Sequence, residues 1–190
     1  MQLKKLSKRV YLPSRIAIAV TGHRDIKQTK FLQSAVNSVV EKIQLLFPTY
    51  EFTVYSCLAE GADQLLGRCL QERLPADLYV VLPLPELEYL KDFRTVESIK
   101  EYSFLKSLAK NIVTLPLIYA RPLAYRMANQ FMLERSDIIV TIWDGKPAKG
   151  GGGTGEMISM ARHSNWPLIW IQSGDSTTSM HIEEERFPIT

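Results

Sequence analysis

Asp137-Ile138-Ile139-Val140-Thr141-Ile142-Trp143-Asp144-Gly145-Lys146-Pro147-Ala148-Lys149-Gly150-Gly151-Gly152-Gly153-Thr154-Gly155-Glu156 is the stretch on which the fold turns. Its opening apolar run lacks polar alternation, which suits a strand buried on both faces, as in a parallel sheet. A glycine loop follows, and Met157 to His163 then reads as a helix. Strand, glycine loop, helix is an arrangement that builds phosphate sites. Glycines let backbone N–H groups approach an anion, and the helix start adds free N–H groups and a positive dipole end. The run is not a Walker A loop, because no lysine followed by serine or threonine closes a GxxxxG. It is not a dinucleotide fingerprint, because no early βα turn carries GxGxxG. Consecutive glycines also serve as flexible connections, so the other loops must decide.

Outward from this stretch the same pattern recurs. Arg15 to Val20 is a buried-type strand, followed by an amphipathic helix from Lys27 to Phe47 with Leu32, Val36, Val39, Ile43 and Leu46 on one face. Phe52 to Tyr55 is a second strand, and the helix after it turns Ala62, Leu65, Leu66, Cys69 and Leu70 inward. Further strands are expected at Asp77–Leu82, Asn111–Leu115, Asp137–Trp143 and Trp166–Gln172, with a helix over Pro122–Arg135. Glu86 to Lys110 is more polar and is expected to form one or two helices. Its Tyr89, Leu90, Phe93, Tyr102, Phe104 and Leu105 offer more apolar surface than one helix layer needs, so a lid or interface is expected there. Strands alternating with helices predict one α/β domain, doubly wound, with a mainly parallel sheet of about six strands and helices on both faces. Residues 1–14 read as a basic arm (Lys4, Lys5, Lys8, Arg9), residues 15–173 as the domain, and residues 174–190 as a surface tail. Trp143, Trp166 and Trp170 read as packing residues.

Composition narrows the function. A net charge of +3 is too small to point to nucleic acid. The two cysteines, Cys57 and Cys69, have no metal-ligand spacing and form no disulfide framework, which suits a reducing cytoplasm. No metal site, signal peptide or membrane-spanning apolar run is visible.

Three polar, glycine-containing loops follow strands, and so share one edge of a parallel sheet, where ligands bind near a topological switch point. In the first, Thr21 and Gly22 offer a hydroxyl and a close backbone approach. His23 and Arg24 suit a phosphate or carboxylate, or a structural pair with Asp25. In the second, Ser56 and the Gly61–Ala62 backbone precede a helix start. Glu60 and Asp63 suit ribose hydroxyls, or helix capping and dipole matching. In the third, Asp144, Gly145, Gly151, Gly152, Gly153 and Thr154 surround the glycine run. Glu156 is either a dipole partner of its helix, a ribose contact or a general acid–base. Tyr125 suits base stacking, or, like Arg126 and Asn129 on the same helix, a core or surface role.

Taken together, Thr21-Gly22-His23-Arg24, the Ser56-to-Asp63 loop with Ala59-Glu60-Gly61-Ala62-Asp63, and Ser136-Asp137 leading to Trp143-Asp144-Gly145 and Gly151-Gly152-Gly153-Thr154 resemble the SLOG superfamily. This group of Rossmann-like domains includes the LOG phosphoribohydrolases, the DNA-processing protein A family, molybdenum-cofactor carriers and nucleotide sensors of bacterial defence. The resemblance covers Arg15 to Gln172. It implies a nucleotide or nucleotide-derived ligand with phosphate against Gly152, Gly153 and Thr154, and with Gly22, Ser56 and Gly61 lining the neighbouring wall. It also implies a dimer or larger homo-oligomer. The hydrolases carry Pro-Gly-Gly-x-Gly-Thr-x-x-Glu and an upstream arginine. Here Lys149 precedes the glycines, and Glu156 follows Thr154 by two positions instead of three.

The leading expectation is therefore a nucleotide sensor or carrier whose ligand is a mononucleotide, an ADP-ribose-like molecule or a cyclic nucleotide. The alternative is a phosphoribohydrolase with Glu156 and Arg126 as catalytic residues. Single-stranded DNA binding is disfavoured by the modest charge, and a molybdenum-cofactor carrier ranks last.

Overall fold

The computed structural model describes residues 14–147, 150–173 and 179–183. The basic arm (but for residue 14) and most of the tail lie outside the described residues, as do Ala148 and Lys149. The elements run β1 (Arg15–Gly22), α1 (Lys30–Leu46), β2 (Glu51–Ser56), α2 (Ala62–Arg73), β3 (Ala76–Leu82), α3 (Glu86–Tyr89), a 3₁₀ turn (Leu90–Asp92), α4 (Val96–Ser107), β4 (Asn111–Thr114), α5 (Arg121–Leu133), β5 (Ile138–Trp143), α6 (Thr154–His163), β6 (Leu168–Gln172) and β7 (Ser179–Glu183). This is the doubly wound α/β fold the alternation predicts.

The strand order is β4-β3-β2-β1-β5-β6-β7. The pairs from β4 through β6 are parallel, and β7 lies antiparallel on β6. Among the described residues there are thus seven strands instead of about six, and the segment expected to be only a tail contributes the seventh. The chain winds outward from β1 through β2, β3 and β4, then returns to place β5 on the other side of β1. That reversal makes the β1–β5 boundary the switch point. Pairing there runs to Gly22 opposite Ile142, so the two following loops emerge side by side.

Burial explains why these strands lack alternation. Ile18, Ala19 and Val20 of β1 and every residue of β5 are buried, with helices on both faces. The first helix buries Leu32, Val36, Val39, Val40 and Ile43. It begins at Lys30 instead of Lys27 because Thr29 caps it, its hydroxyl accepting from the Leu32 N–H at 3.1 Å.

The segment Glu86–Lys110 departs from expectation. Tyr89, Phe93, Tyr102 and Leu105 are buried. Their rings meet edge-on, with Tyr89–Phe93 and Phe93–Tyr102 centroids both 5.3 Å apart. The surplus apolar surface is a satellite of the core, so these side chains are not an exposed interface. Phe104 alone of that set is largely exposed, with the Arg68 guanidinium 4.7 Å from its ring. No helix among the described residues is long and apolar enough to cross a membrane.

Candidate functional site

The β1 and β5 loops and the start of α5 enclose a cleft of about 310 Å³ at the switch point. Of the residues singled out in the sequence, Thr21, Gly22, His23, Arg24, Tyr125, Gly152, Gly153 and Thr154 line it. Cys57, Ala59, Tyr89 and Asn129 complete the wall. Around the glycine loop a second chamber of about 320 Å³ is lined by His23, Asp144, Gly151, Gly153 and Thr154, among others.

The glycine loop is held by α5. Gly152 has φ +81°, and a Cβ there would meet the Tyr125 Cβ at 2.5 Å and the Pro122 carbonyl at 2.6 Å. Only glycine permits this approach. The Gly152 carbonyl accepts from Asn129 Nδ2 at 3.2 Å, and its N–H donates to one Glu156 carboxylate oxygen. The other Glu156 oxygen accepts from Arg126 Nε at 2.7 Å. Burial pulls the Glu156 carboxyl upward, but Arg126 and the Gly152 N–H outweigh it and hold it below its ordinary value. Glu156 is thus a charged clamp on the loop. Both it and Arg126 line a third chamber, outside the first cleft, and Gly145 lies there too. Beyond the clamp, Gly153 caps α6 without a side-chain hydrogen bond. The N–H groups of Gly153, Thr154 and Gly155 make no hydrogen bond among the described residues. Three open donors at a helix start are what an anion needs.

Arg24 enters the cleft between aromatic rings, its guanidinium carbon 5.9 Å from the Phe93 centroid and 6.0 Å from that of Tyr125. It donates to the Asp92 carbonyl at 2.9 Å and to the Tyr125 hydroxyl at 3.3 Å, which leaves further donors of its fork unused among the described residues. The Tyr125 hydroxyl in turn donates to the Asp92 carboxylate, which also receives Arg121 at 2.7 Å. Burial and that carboxylate push the Tyr125 hydroxyl far up, so it stays protonated. His23 Nε2 lies 2.9 Å from Asp144 Oδ1; burial pulls the Asp144 carboxyl upward, but His23 and the Lys146 N–H outweigh it and hold it below its ordinary value. Burial raises the Cys57 thiol well above its usual value and keeps it neutral.

The second loop behaves differently from the sequence reading. Ser56 is fully buried, its hydroxyl accepting from the Leu58 N–H at 3.0 Å. Glu60 faces away from the cleft. Its carboxylate binds the Arg94 side chain and N–H and the Ser98 hydroxyl, in a groove between α2 and α4 that Gly61 also lines. The Ala62 N–H, expected to face an anion, donates to the His23 carbonyl at 3.0 Å. Asp63 is buried beneath both loops and accepts from the backbone N–H groups of Gly22 and Ala59. The Ala59-to-Asp63 stretch is therefore a lock that shapes the first loop, and only Cys57 and Ala59 from this region reach the cleft.

Burial raises the Asp63 carboxyl to about 7, against the pull of Arg24 and the two backbone donors. The native state then keeps a proton between about pH 4 and 7 that the unfolded chain has released. Stability attributable to this group falls as pH rises through that window and is level above it, by up to roughly 4 kcal/mol in total. Urea unfolding from pH 4 to 8 should show this slope in the native protein and its loss in Asp63→Asn. Identical slopes would refute the assignment.

Sequence reasoning missed Asp92, which holds Tyr125 of the cleft wall from 33 positions away, and Arg94, which holds Glu60 and Asp25 in the α2–α4 groove from 34 and 69 positions away. They stand in a polar stretch with no spacing to flag them. Among the described residues no group of His, Cys, Asp and Glu could hold a metal. No known family model matches the chain, and no curated protein matches it significantly.

Proposed function

We propose that the protein binds a nucleotide or nucleotide-derived ligand at the β1–β5 switch point, as a sensor or carrier. The observation that carries this reading is the convergence of the open α6 start with Arg24 on one cleft. Phosphate sits on the Gly153, Thr154 and Gly155 N–H groups, and the Tyr125 ring with the unused Arg24 donors flanks the sugar or base. The resemblance to the SLOG superfamily supports it. So does the switch-point position, the usual ligand crevice of open α/β sheets.

Hydrolysis receives no specific support. The Glu156 carboxylate is committed to Arg126 and Gly152, and Glu156 does not line the first cleft. The free, buried Cys57 and Cys69 fit the reducing cytoplasm in which we place the protein. Homo-oligomerisation belongs to the same proposal.

Thermal unfolding against a nucleotide panel tests the reading, with each mixture then run on a column for breakdown products. A ligand at about 100 times its Kd adds about 2.7 kcal/mol, or roughly 5–10 °C for a chain of this size. A shift with intact ligand is expected. No shift with any nucleotide would overturn the proposal, and free base in the eluate would replace it with the hydrolase.

A further inference from the structure

The strand order sets how many helices each face of the sheet receives. From β1 through β2 and β3 to β4 every step runs one way, so right-handed crossovers put α1, α2 and α4 on one face. The return to β5 and the step to β6 run the other way, which puts α5 and α6 on the opposite face. Among the described residues the second face therefore has one long helix fewer than the first. With α5 lying between α6 and β3, no helix follows it over β3 and β4 on that side.

What this leaves is an apolar shelf. Its floor is Tyr55 of β2, Tyr79 of β3 and Val113 of β4. Tyr55 and Tyr79 stand opposite each other with ring centroids 5.4 Å apart. Val113 lies two positions beyond Asn111, the partner of Tyr79, and so points to the same face. From β2 to β4 the floor spans roughly 10 Å, the width of one helix. The wall is a stripe of α5 turned away from α6, where Leu123, Met127 and Phe131 recur every fourth residue. Arg135 closes the corner, its guanidinium 3.7 Å from the Phe131 centroid and within electrostatic reach of Tyr55. All six apolar side chains are partly exposed, Leu123 by 44%, and Tyr119, two residues ahead of α5, is 91% exposed. With Tyr119 and Arg135 they leave on the order of 600 Å² in solvent. That is the upper end for a monomer's largest patch and approaches the roughly 800 Å² a standard interface takes from each partner.

The shape and chemistry of the shelf call for a helix with an apolar flank. The α5 helix is itself one, 13 residues and about 20 Å long, and its flank needs cover as much as the floor does. A second copy answers both needs with one contact, because in a twofold pair the same patch serves both sides. We infer that the protein forms a twofold dimer through this shelf, each copy's α5 supplying the helix that the other's sheet lacks. This rests on the homo-oligomer part of the reading above and gives it a surface. The other side of α5 carries Tyr125, which lines the cleft, and Asn129, which holds the glycine loop. The partner thus braces the helix that shapes the candidate site.

Sedimentation equilibrium of the full chain tests this with one charge on each side of the shelf. Leu123→Glu changes the wall, at a first-turn helix position where an acidic residue suits the dipole. Val113→Lys changes the floor, on an edge strand where lysine is well tolerated. Phe31→Glu, at a residue 78% exposed on α1 and so on the opposite face, is the control. The expected result is a dimer whose dissociation constant rises at least about tenfold in each shelf variant and stays within about twofold in Phe31→Glu. A dimer that either shelf variant leaves intact, or that the control weakens equally, overturns the shelf and leaves homo-oligomerisation standing. A native monomer overturns both, and the nucleotide panel then judges the cleft on its own. Circular dichroism of each variant confirms that it keeps its fold.

Discussion

Gly61→Val is expected to be the most destabilising substitution in the three loops. Gly61 caps α2 at φ +89°, a region that β-branched residues essentially avoid. A Cβ there would meet the His23 carbonyl oxygen at 2.6 Å and the Arg24 carbonyl closer still. Both are backbone atoms and cannot swing aside as a side chain does. Relief requires the first loop to lift from α2. That movement breaks the Ala62 N–H to His23 hydrogen bond and the hold of Asp63 on the Gly22 N–H. Backbone strain of about 1–3 kcal/mol adds to these losses, so a total of at least about 3 kcal/mol follows. For a chain of this size that lowers Tm by roughly 6–12 °C. A variant melting within about 2 °C of the native protein would show that the loop is not locked as described.

The same residue explains what the sequence could and could not disclose. A glycine and an acidic residue at a helix start serve equally well to receive a phosphate or to lock a neighbouring loop. The deciding fact is the partner of the Ala62 N–H, and that partner, the His23 carbonyl, stands 39 positions earlier. Local pattern carries no information on such a pairing. The unbroken apolar runs of β1 and β5 were legible because burial on both faces acts on consecutive residues, Ile18 to Thr21 in β1 and all of β5. The switch point followed from strand order, which the alternation of elements implied without fixing. Asp92 and Arg94 were illegible because ion pairs formed across 29 to 69 positions leave no periodic trace. The strand β7 was illegible for a related reason: five residues at an antiparallel edge show no continuous apolar run.

Gly153→Leu is expected to separate binding from folding. Its neighbour Gly152 could not serve, because any side chain there strikes α5. Gly153 has φ −87° and ψ 173°, extended backbone that any residue adopts, and a Cβ there meets nothing within 4 Å. Leucine is a poorer helix cap than glycine, a loss of around 1 kcal/mol or less, so the native Tm should fall by at most about 4 °C. The residue lines both the first cleft and the second chamber. A leucine side chain therefore occupies the space in front of the Thr154 and Gly155 N–H groups, where the phosphate is proposed to sit. Removing that contact by bulk, while the donors remain in place, should weaken binding at least about a hundredfold, or about 2.7 kcal/mol. The ligand-induced rise in Tm should then disappear at concentrations that saturate the native protein. Gly153→Ala, adding one methyl group to the same open space, should lose only part of it. If Gly153→Leu keeps the full ligand shift, the anion is not at the start of α6, and the open N–H groups of the glycine loop face only solvent.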